Sequence, residues 1–394
     1  MKTEKINRRK FLRLSTATGI GALFFPGAAT AVGEKIPEKQ NKIPVRTLGK
    51  TGVQLPILGL GVDRPDSNNV LRAAYNAGIK LFDTANGYQN GKNEEMVGSV
   101  LSGKPRDTAF VATKIFFSYP LHDNFEKDFN NKLAMSLKRL KMESVDALYI
   151  HMATTPDVLK DERVQAVMTE AKAAGKTRFI GFSSHEQNPA IIDAATETGI
   201  YDIALISYNF KMKNLKELEA AIERGARAGM GFITMKVMAG GVEDAEGQKK
   251  INAKACLRWV WQNKNITAVI PGLFNYDQLD ECLEAAYNPE LKEEEKKYLA
   301  DLCDREMLYC QRCGQCQLQC PKQLPIPDMM RAYMYAFGYR RAQQSKDTLA
   351  DLNLPPNVCS DCEICAVHCP SGFDVAKKIA AITPLAQIPD RFLT

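Results

Sequence analysis

Eight of the eleven cysteines in this 394-residue chain fall in two runs of identical spacing near its C-terminus. Cys310, Cys313, Cys316 and Cys320, followed by Pro321, read C-x2-C-x2-C-x3-C-P, and Cys359, Cys362, Cys365 and Cys369, followed by Pro370, read the same. Two-residue gaps let three thiolates from one tight loop cap one face of an iron–sulfur cubane, and the fourth ligand must then come from elsewhere. A zinc ribbon or a set of disulfides is the alternative use of such thiols, but a disulfide framework does not require the same spacing twice. Cys256, Cys282 and Cys303 lie in helix-like segments, where a buried thiol serves as a small hydrophobe.

The elements that must carry these runs are of two kinds. After a Lys-rich, Pro-containing linker, 32–43, short β-rich runs alternate with helical patterns: ILGLG from Ile57, KLFDT from Lys80, AFVAT from Ala109, DALYI from Asp146, TRFIG from Thr177, DIALI from Asp202, GFITM from Gly231 and TAVIP from Thr267. Each interval suits one strand, one helix and two short loops. Val164, Val167, Met168 and Ala171 repeat at helical spacing, as do Leu133, Leu137 and Leu140. Eight such units with strands apolar on both faces predict an α/β fold, a (β/α)8 barrel over 44–288. The segment IPVRTLGKTGVQLP ahead of them predicts a hairpin across the bottom of the barrel. A charged connecting helix, 289–306, leads to a cysteine-bearing domain, 307–375, whose two runs are separated by a helical, Met- and Tyr-rich piece; 376–394 is left as a C-terminal tail.

Catalytic groups of such barrels sit at the C-terminal ends of strands. Reading those ends gives Asp83 with Tyr88 just beyond the second strand, Lys114 at the end of the third and His151 at the end of the fourth. Reducing a carbonyl by hydride needs a proton for the developing alkoxide, and an ordinary phenol, with pKa about 10, is a reluctant donor. An ammonium from Lys114, held by the carboxylate of Asp83, favours the phenolate and lowers the pKa of Tyr88, while His151 orients or polarises the substrate oxygen. Singly, each has a plainer use: a helix N-cap, a loop aromatic, a surface lysine, a strand-end histidine. His185, which ends the fifth strand, either lines the pocket or is structural.

The segments LFDTANGYQNGKNEEMVG, SLKRLKMESVDALYIHM and AKAAGKTRFIGFSSH resemble signature segments of the aldo/keto reductases, and the resemblance runs from 44 to about 287. It implies a carbonyl oxidoreductase whose catalytic Asp, Tyr, Lys and His are Asp83, Tyr88, Lys114 and His151, acting on a small carbonyl or alcohol substrate with NADP. For that cofactor it implies Ser183 and Ser184 at the carboxamide, and Gly272, Gln278 and Glu281 around the phosphates. The chain departs from the pattern at Leu205, where a glutamine is expected, at Met235, where a stacking aromatic is expected, at Ser184 and at Gln278.

The cysteine runs resemble those of bacterial ferredoxins, in which the fourth cysteine serves the other cluster. That resemblance implies two [4Fe-4S] clusters, one on Cys310, Cys313, Cys316 and Cys369, the other on Cys359, Cys362, Cys365 and Cys320. The long helical spacer between the runs gives this domain the look of the α-helical ferredoxin type.

The first residues, MKTEKINRRKFLRLSTATGIGALFFPGAATAVG, have a basic region, a weakly apolar run and small residues, the order of an export signal. Asn7-Arg8-Arg9-Lys10-Phe11-Leu12-Arg13 resembles the twin-arginine consensus, and Ala29-Thr30-Ala31 supplies a cleavage site, so 1–31 is expected to be a signal peptide and the protein periplasmic. A chain that must be loaded with clusters before crossing a membrane suits that route. The leader carries net +5 of the total +6, so the mature chain is near neutral, with no electrostatic footprint for nucleic acid and no span for a bilayer. The expectation is an exported oxidoreductase with an electron-transfer tail and a redox partner protein. The alternatives are a redox-relay or docking protein whose barrel no longer turns over nicotinamide, and clusters that act as a stability or redox sensor.

Overall fold

The computed structural model describes residues 42–393, apart from 63–67, 242–250, 304–307, 309, 311, 313–314, 356 and 360–361. The expected leader, 1–31, most of the linker and Cys313 therefore lie outside the described residues.

Eight parallel strands form the ring: β3 (Leu60–Gly61), β4 (Leu81–Asp83), β5 (Phe110–Ile115), β6 (Val145–Ile150), β7 (Thr177–Ser184), β8 (Ile203–Ser207), β9 (Gly231–Met235) and β10 (Ile266–Val269). They pair in sequence order, and parallel bridges Leu58–Val269 and Gly61–Gly272 bring the first strand against the last. Each of the eight β-rich runs read from the sequence supplies one of these strands. The reason is visible in their burial, which alternates between two cores rather than between core and water. Leu81, Ala112, Ala147, Tyr149, Ile203, Leu205, Ile233, Met235 and Ala268 fill the barrel interior. Their neighbours Phe82, Val111, Leu148, Phe182, Ala204, Ile206 and Phe232 pack outward on the helices. The helices answer with the stripes their periodicity predicts: Leu133, Leu137 and Leu140 from Phe125–Leu140, and Val164, Val167, Met168 and Ala171 from Glu162–Ala173.

The hairpin of β1 (Val45–Thr47) and β2 (Gln54–Pro56) closes the N-terminal end of the ring, where Leu48 and Leu55 join the interior core. Its turn abuts the start of β9. The Lys50 amide donates to the Gly229 carbonyl at 2.8 Å, and a Cβ on Gly49 would lie 2.4 Å from that same oxygen. Only glycine permits this approach, at a left-handed φ of +49°.

Beyond the barrel, the helix Glu293–Cys303 is fastened by a buried ion pair between Arg258 and Glu295 at 2.5 Å. The cysteine-bearing lobe follows: short helices Gln315–Gln319 and Ile326–Tyr333, a π-turn Met334–Gly338, and helices Ala342–Asp351 and Val375–Ile382. Its core unites Ile326, Met329, Met330, Tyr333, Val358 and Phe373 with Val375, Ile379 and Ile382. The last helix, in the segment expected as a C-terminal tail, thus packs into the core of the lobe. Nor does the lobe stand apart. The barrel and the lobe form one compact unit, with lobe residues Arg312, Tyr335 and Arg341 meeting Glu186, Lys236 and Phe274 beyond the C-terminal ends of the strands.

Candidate active site

Three neighbouring strands and one turn assemble the polar cluster at the C-terminal end of the ring. Asp83 is the last residue of β4, Lys114 the penultimate residue of β5, and His151 follows β6. The Lys114 ammonium donates to Asp83 Oδ1 at 2.5 Å and to the Thr84 carbonyl at 2.7 Å, with the lysine side chain 1% exposed. Tyr88 stands over this pair in a turn held by left-handed backbone at Gln89, Asn90 and Gly91 (φ +50°, +55° and +91°). Such backbone persists only where its surroundings enforce it, and here Arg139 packs against Gly91 while donating to the Asn86 carbonyl and to Glu94. The Lys114 nitrogen lies 4.9 Å from the centre of the Tyr88 ring, and the His151 ring meets that ring edge-on at 5.6 Å. All four residues expected to act together are brought together.

Burial favours the neutral form of both His151 and His185. His151 is half-buried with Nδ1 sealed from solvent and without a hydrogen-bond partner. Desolvation holds its pKa well below the ordinary imidazole value, and the positive charges of Lys114, Arg331 and Lys236 push the same way. His185 is held down by burial and by Lys236, Arg331 and Arg312. Beneath the site, Tyr149, in register with Lys114, has a buried hydroxyl without a partner, which burial and the carboxylates of Asp83 and Asp146 keep protonated.

The residues assigned to the nucleotide are arranged differently. Ser183 Oγ accepts from the Met152 amide and lies near the Ile150 carbonyl, while Ser184 Oγ lies 2.9 Å from both the Ala153 and Glu186 carbonyls. Both are fully buried, knitting the ends of β6 and β7 together. Leu205 and Met235 belong to the interior core. Gly272 bridges to Gly61, Gln278 Oε1 accepts from the Phe274 amide at 2.9 Å, and Glu281 is half-buried on the helix Tyr276–Tyr287 beside Cys282.

In the lobe, Cys310 and Cys316 of the first run and Cys369 of the second line one cavity, with Ile326, Pro327, Met330, Phe373 and Val375 as its apolar wall. Burial pushes the Cys310 thiol up to about 12; Arg312 pulls it down, while Cys316 and Cys369 push it further up. Around Cys359, burial raises the thiol and Cys362, Cys365 and Cys320 add to it. Each set mixes the two runs as the ferredoxin pattern implies. Among the described residues no three His, Cys, Asp or Glu side chains converge as ligands of a single ion do; thiols around an apolar cavity fit a cluster. Amides of Arg312 and Ser371 donate to the Cys310 and Cys369 sulfurs at 3.4 Å, and Gln319 and His368 lace the two runs together.

Sequence reasoning missed what joins lobe to barrel. Arg312, inside the first cysteine run, pairs with Glu186 at 3.4 Å and with Asp328 at 2.8 Å, and Asp328 also binds Arg331. Lys236, at the end of β9, lies under the Tyr335 ring, and Lys213 donates to the Pro370 carbonyl. The one available signal was an arginine placed between two cluster cysteines.

Comparisons with known proteins agree with this geometry. Residues 52–255, just over half of the chain, match the model of the aldo/keto reductase family, and residues 309–374 match that of a 4Fe-4S dicluster domain. The aldo-keto reductase AFTS1 of Alternaria alternata is 26% identical over 341 residues, covering 66% of this chain and 92% of its own. The L-glyceraldehyde 3-phosphate reductase of Escherichia coli O157:H7 is 25% identical over 323 residues, covering 66% and 92%. Among solved structures, the holo form of aldo-keto reductase AKR11C1 from Bacillus halodurans shares the fold with a TM-score of 0.56 at 20% identity, over 68% of this chain and 98% of its own. An Asp–Lys pair beneath a tyrosine and a neutral histidine, on a ring of this topology, thus agrees with the family match: the chain belongs to the aldo/keto reductase family and carries an iron–sulfur dicluster domain behind its barrel.

Proposed function

We propose that this protein is an exported, periplasmic oxidoreductase that reduces an aldehyde or ketone, or runs the reverse oxidation, with Tyr88 as the proton donor. The observation that carries the reading is the Lys114 ammonium, buried on Asp83 and 4.9 Å from the Tyr88 ring. Reduction adds a hydride to the carbonyl carbon and a proton to its oxygen. A fixed cation beside a phenol favours the phenolate, which is what a proton donor at neutral pH requires. Asp83 and the Thr84 carbonyl hold that cation in place, and His151, edge-on to the same ring, orients the carbonyl oxygen. The twin-arginine leader supports export, since the clusters must be inserted into a folded chain.

NADP(H) is the hydride carrier proposed for this reading. With the lobe docked, however, the residues do not fit a dinucleotide: the Ser183 and Ser184 hydroxyls are engaged with backbone, and the lobe lies over the neighbouring strand ends. That same observation favours a second reading, a redox relay or docking protein whose barrel no longer turns over nicotinamide. The two [4Fe-4S] sites fit single-electron exchange with a partner protein in either case.

Anaerobically purified, cluster-loaded protein assayed with NADPH and a panel of carbonyls separates the readings. Turnover that falls by about 10²–10⁴-fold in Tyr88→Phe, with cluster absorbance unchanged, supports the first. Equal turnover by Tyr88→Phe overturns the role of Tyr88, and absence of turnover in every condition leaves the relay.

A further inference from the structure

Barrels of this kind commonly hold a ligand's phosphate at the loops after their seventh and eighth strands. Here those strands are β9 and β10, and among the described residues of the loops after them Lys236, Gly240, Gly241 and Phe274 are covered. Three contacts in a row cover them, all from one segment of the lobe. Tyr335 lies over Lys236, the residue after β9, with the ammonium 5.6 Å from the ring centre. Gly338 then meets the backbone at Gly240 and Gly241, so closely that a Cβ on Gly338 would lie 2.0 Å from the Gly240 carbonyl oxygen. Arg341 stacks on Phe274 in the loop after β10. Upstream, Asp328 binds Arg312 and Arg331, and Arg312 reaches Glu186 after β7. The segment 328–341 therefore runs along the mouth from β7 across β9 to β10, the strip that a dinucleotide must cover to reach from the catalytic residues to a phosphate site on the last loop.

We infer that the lobe and a phosphate-bearing dinucleotide compete for this strip, so that NADP(H) binds only when the segment 328–341 has lifted from the barrel. The inference rests on the NADP(H) reading proposed above. It gives the cluster domain a second task beside electron transfer: it decides whether the barrel is open to a diffusible hydride carrier. When the binding-competent arrangement is the minor one, apparent affinity falls by its population, and displacing the segment restores it. By linkage the effect is reciprocal, since a nucleotide that binds the open form loosens the lobe.

The test uses the full, cluster-loaded chain under anaerobic conditions, with NADPH binding followed by its own fluorescence. Gly338→Ala places a methyl group against the Gly240 carbonyl without straining its own backbone, because the φ of Gly338 is not left-handed. The expected result is NADPH affinity higher than wild type by about 10-fold or more, at unchanged iron content. NADPH should also raise amide exchange in 326–341 of the wild type. Should Gly338→Ala fail to fold, Arg341→Ala removes the stacking on Phe274 without adding volume and is expected to act in the same direction. Wild type that binds NADPH as tightly as the variants, with exchange in 326–341 unmoved, overturns the competition and leaves the NADP(H) reading standing. If neither wild type nor variants bind NADPH, both fail.

Discussion

Arg312, which lies between two cluster cysteines, forms an ion pair with Glu186, the residue after His185 at the end of β7. One residue thus links the cysteine cavity to the catalytic face, because the backbone amide of Arg312 donates to the Cys310 sulfur while its side chain reaches Glu186. The cluster expected on Cys310, Cys313, Cys316 and Cys369 is therefore the one tied to the barrel through Arg312.

The two sides of that pair should respond unequally to mutation. Burial raises the Glu186 carboxyl pKa despite the pull of Arg312, so the carboxylate gains little from its position. Arg312, by contrast, serves Glu186 and Asp328 together. Glu186→Gln should cost no more than about 1 kcal/mol, and Arg312→Gln about 1–3 kcal/mol. Rates of cluster bleaching at fixed urea measure this, and Arg312→Gln should bleach faster than Glu186→Gln.

Stability should fall in mild acid. The folded state holds both His151 and His185 well below the ordinary imidazole pKa, so each binds fewer protons folded than unfolded. Their contribution is fully present above about pH 6.5 and is lost as pH falls towards the folded values, at about 1.4 kcal/mol per unit per histidine. Melting of the loaded protein between pH 8 and pH 5.5 should show this decline, and His185→Gln should make it shallower. An unchanged slope in that variant contradicts a neutral His185.

Cross-ligation between the runs can be read from pairs of substitutions. Cys369→Ser and Cys310→Ser should each weaken the same cluster, so the double variant should lose no more iron than the worse single one. Cys369→Ser with Cys359→Ser should lose iron from both clusters. Iron analysis with low-temperature EPR counts what remains. If instead Cys369→Ser and Cys359→Ser prove to affect one shared cluster, each run ligates its own.

The barrel was legible because its strands carry their signal locally: runs such as AFVAT and DALYI are apolar on both faces, and each lies one strand-and-helix unit from the next. The catalytic cluster was legible for the same reason, since Asp83, Lys114 and His151 occupy the ends of consecutive strands. Local reading could not show which way a strand-end hydroxyl turns, and Ser183 and Ser184 turn to backbone. Nor could it show docking. Arg312 and Glu186 are 126 residues apart, and Tyr335, Gly338 and Arg341 form no motif until folding sets them on Lys236, Gly240 and Phe274. The helix Val375–Ile382 completes the lobe core through Val375, Ile379 and Ile382, contacts that depend on its neighbours rather than on any local pattern.

The central claim is that a buried ammonium makes Tyr88 an acid, and the pH dependence of carbonyl reduction tests it most directly. Wild type should be compared with Lys114→Met made together with Asp83→Asn, so that no buried charge is left unpaired. The account predicts that the alkaline fall in rate, which marks loss of the phenolic proton, moves up by about one pH unit or more once the ammonium is gone. A fall at the same pH in both proteins would contradict it.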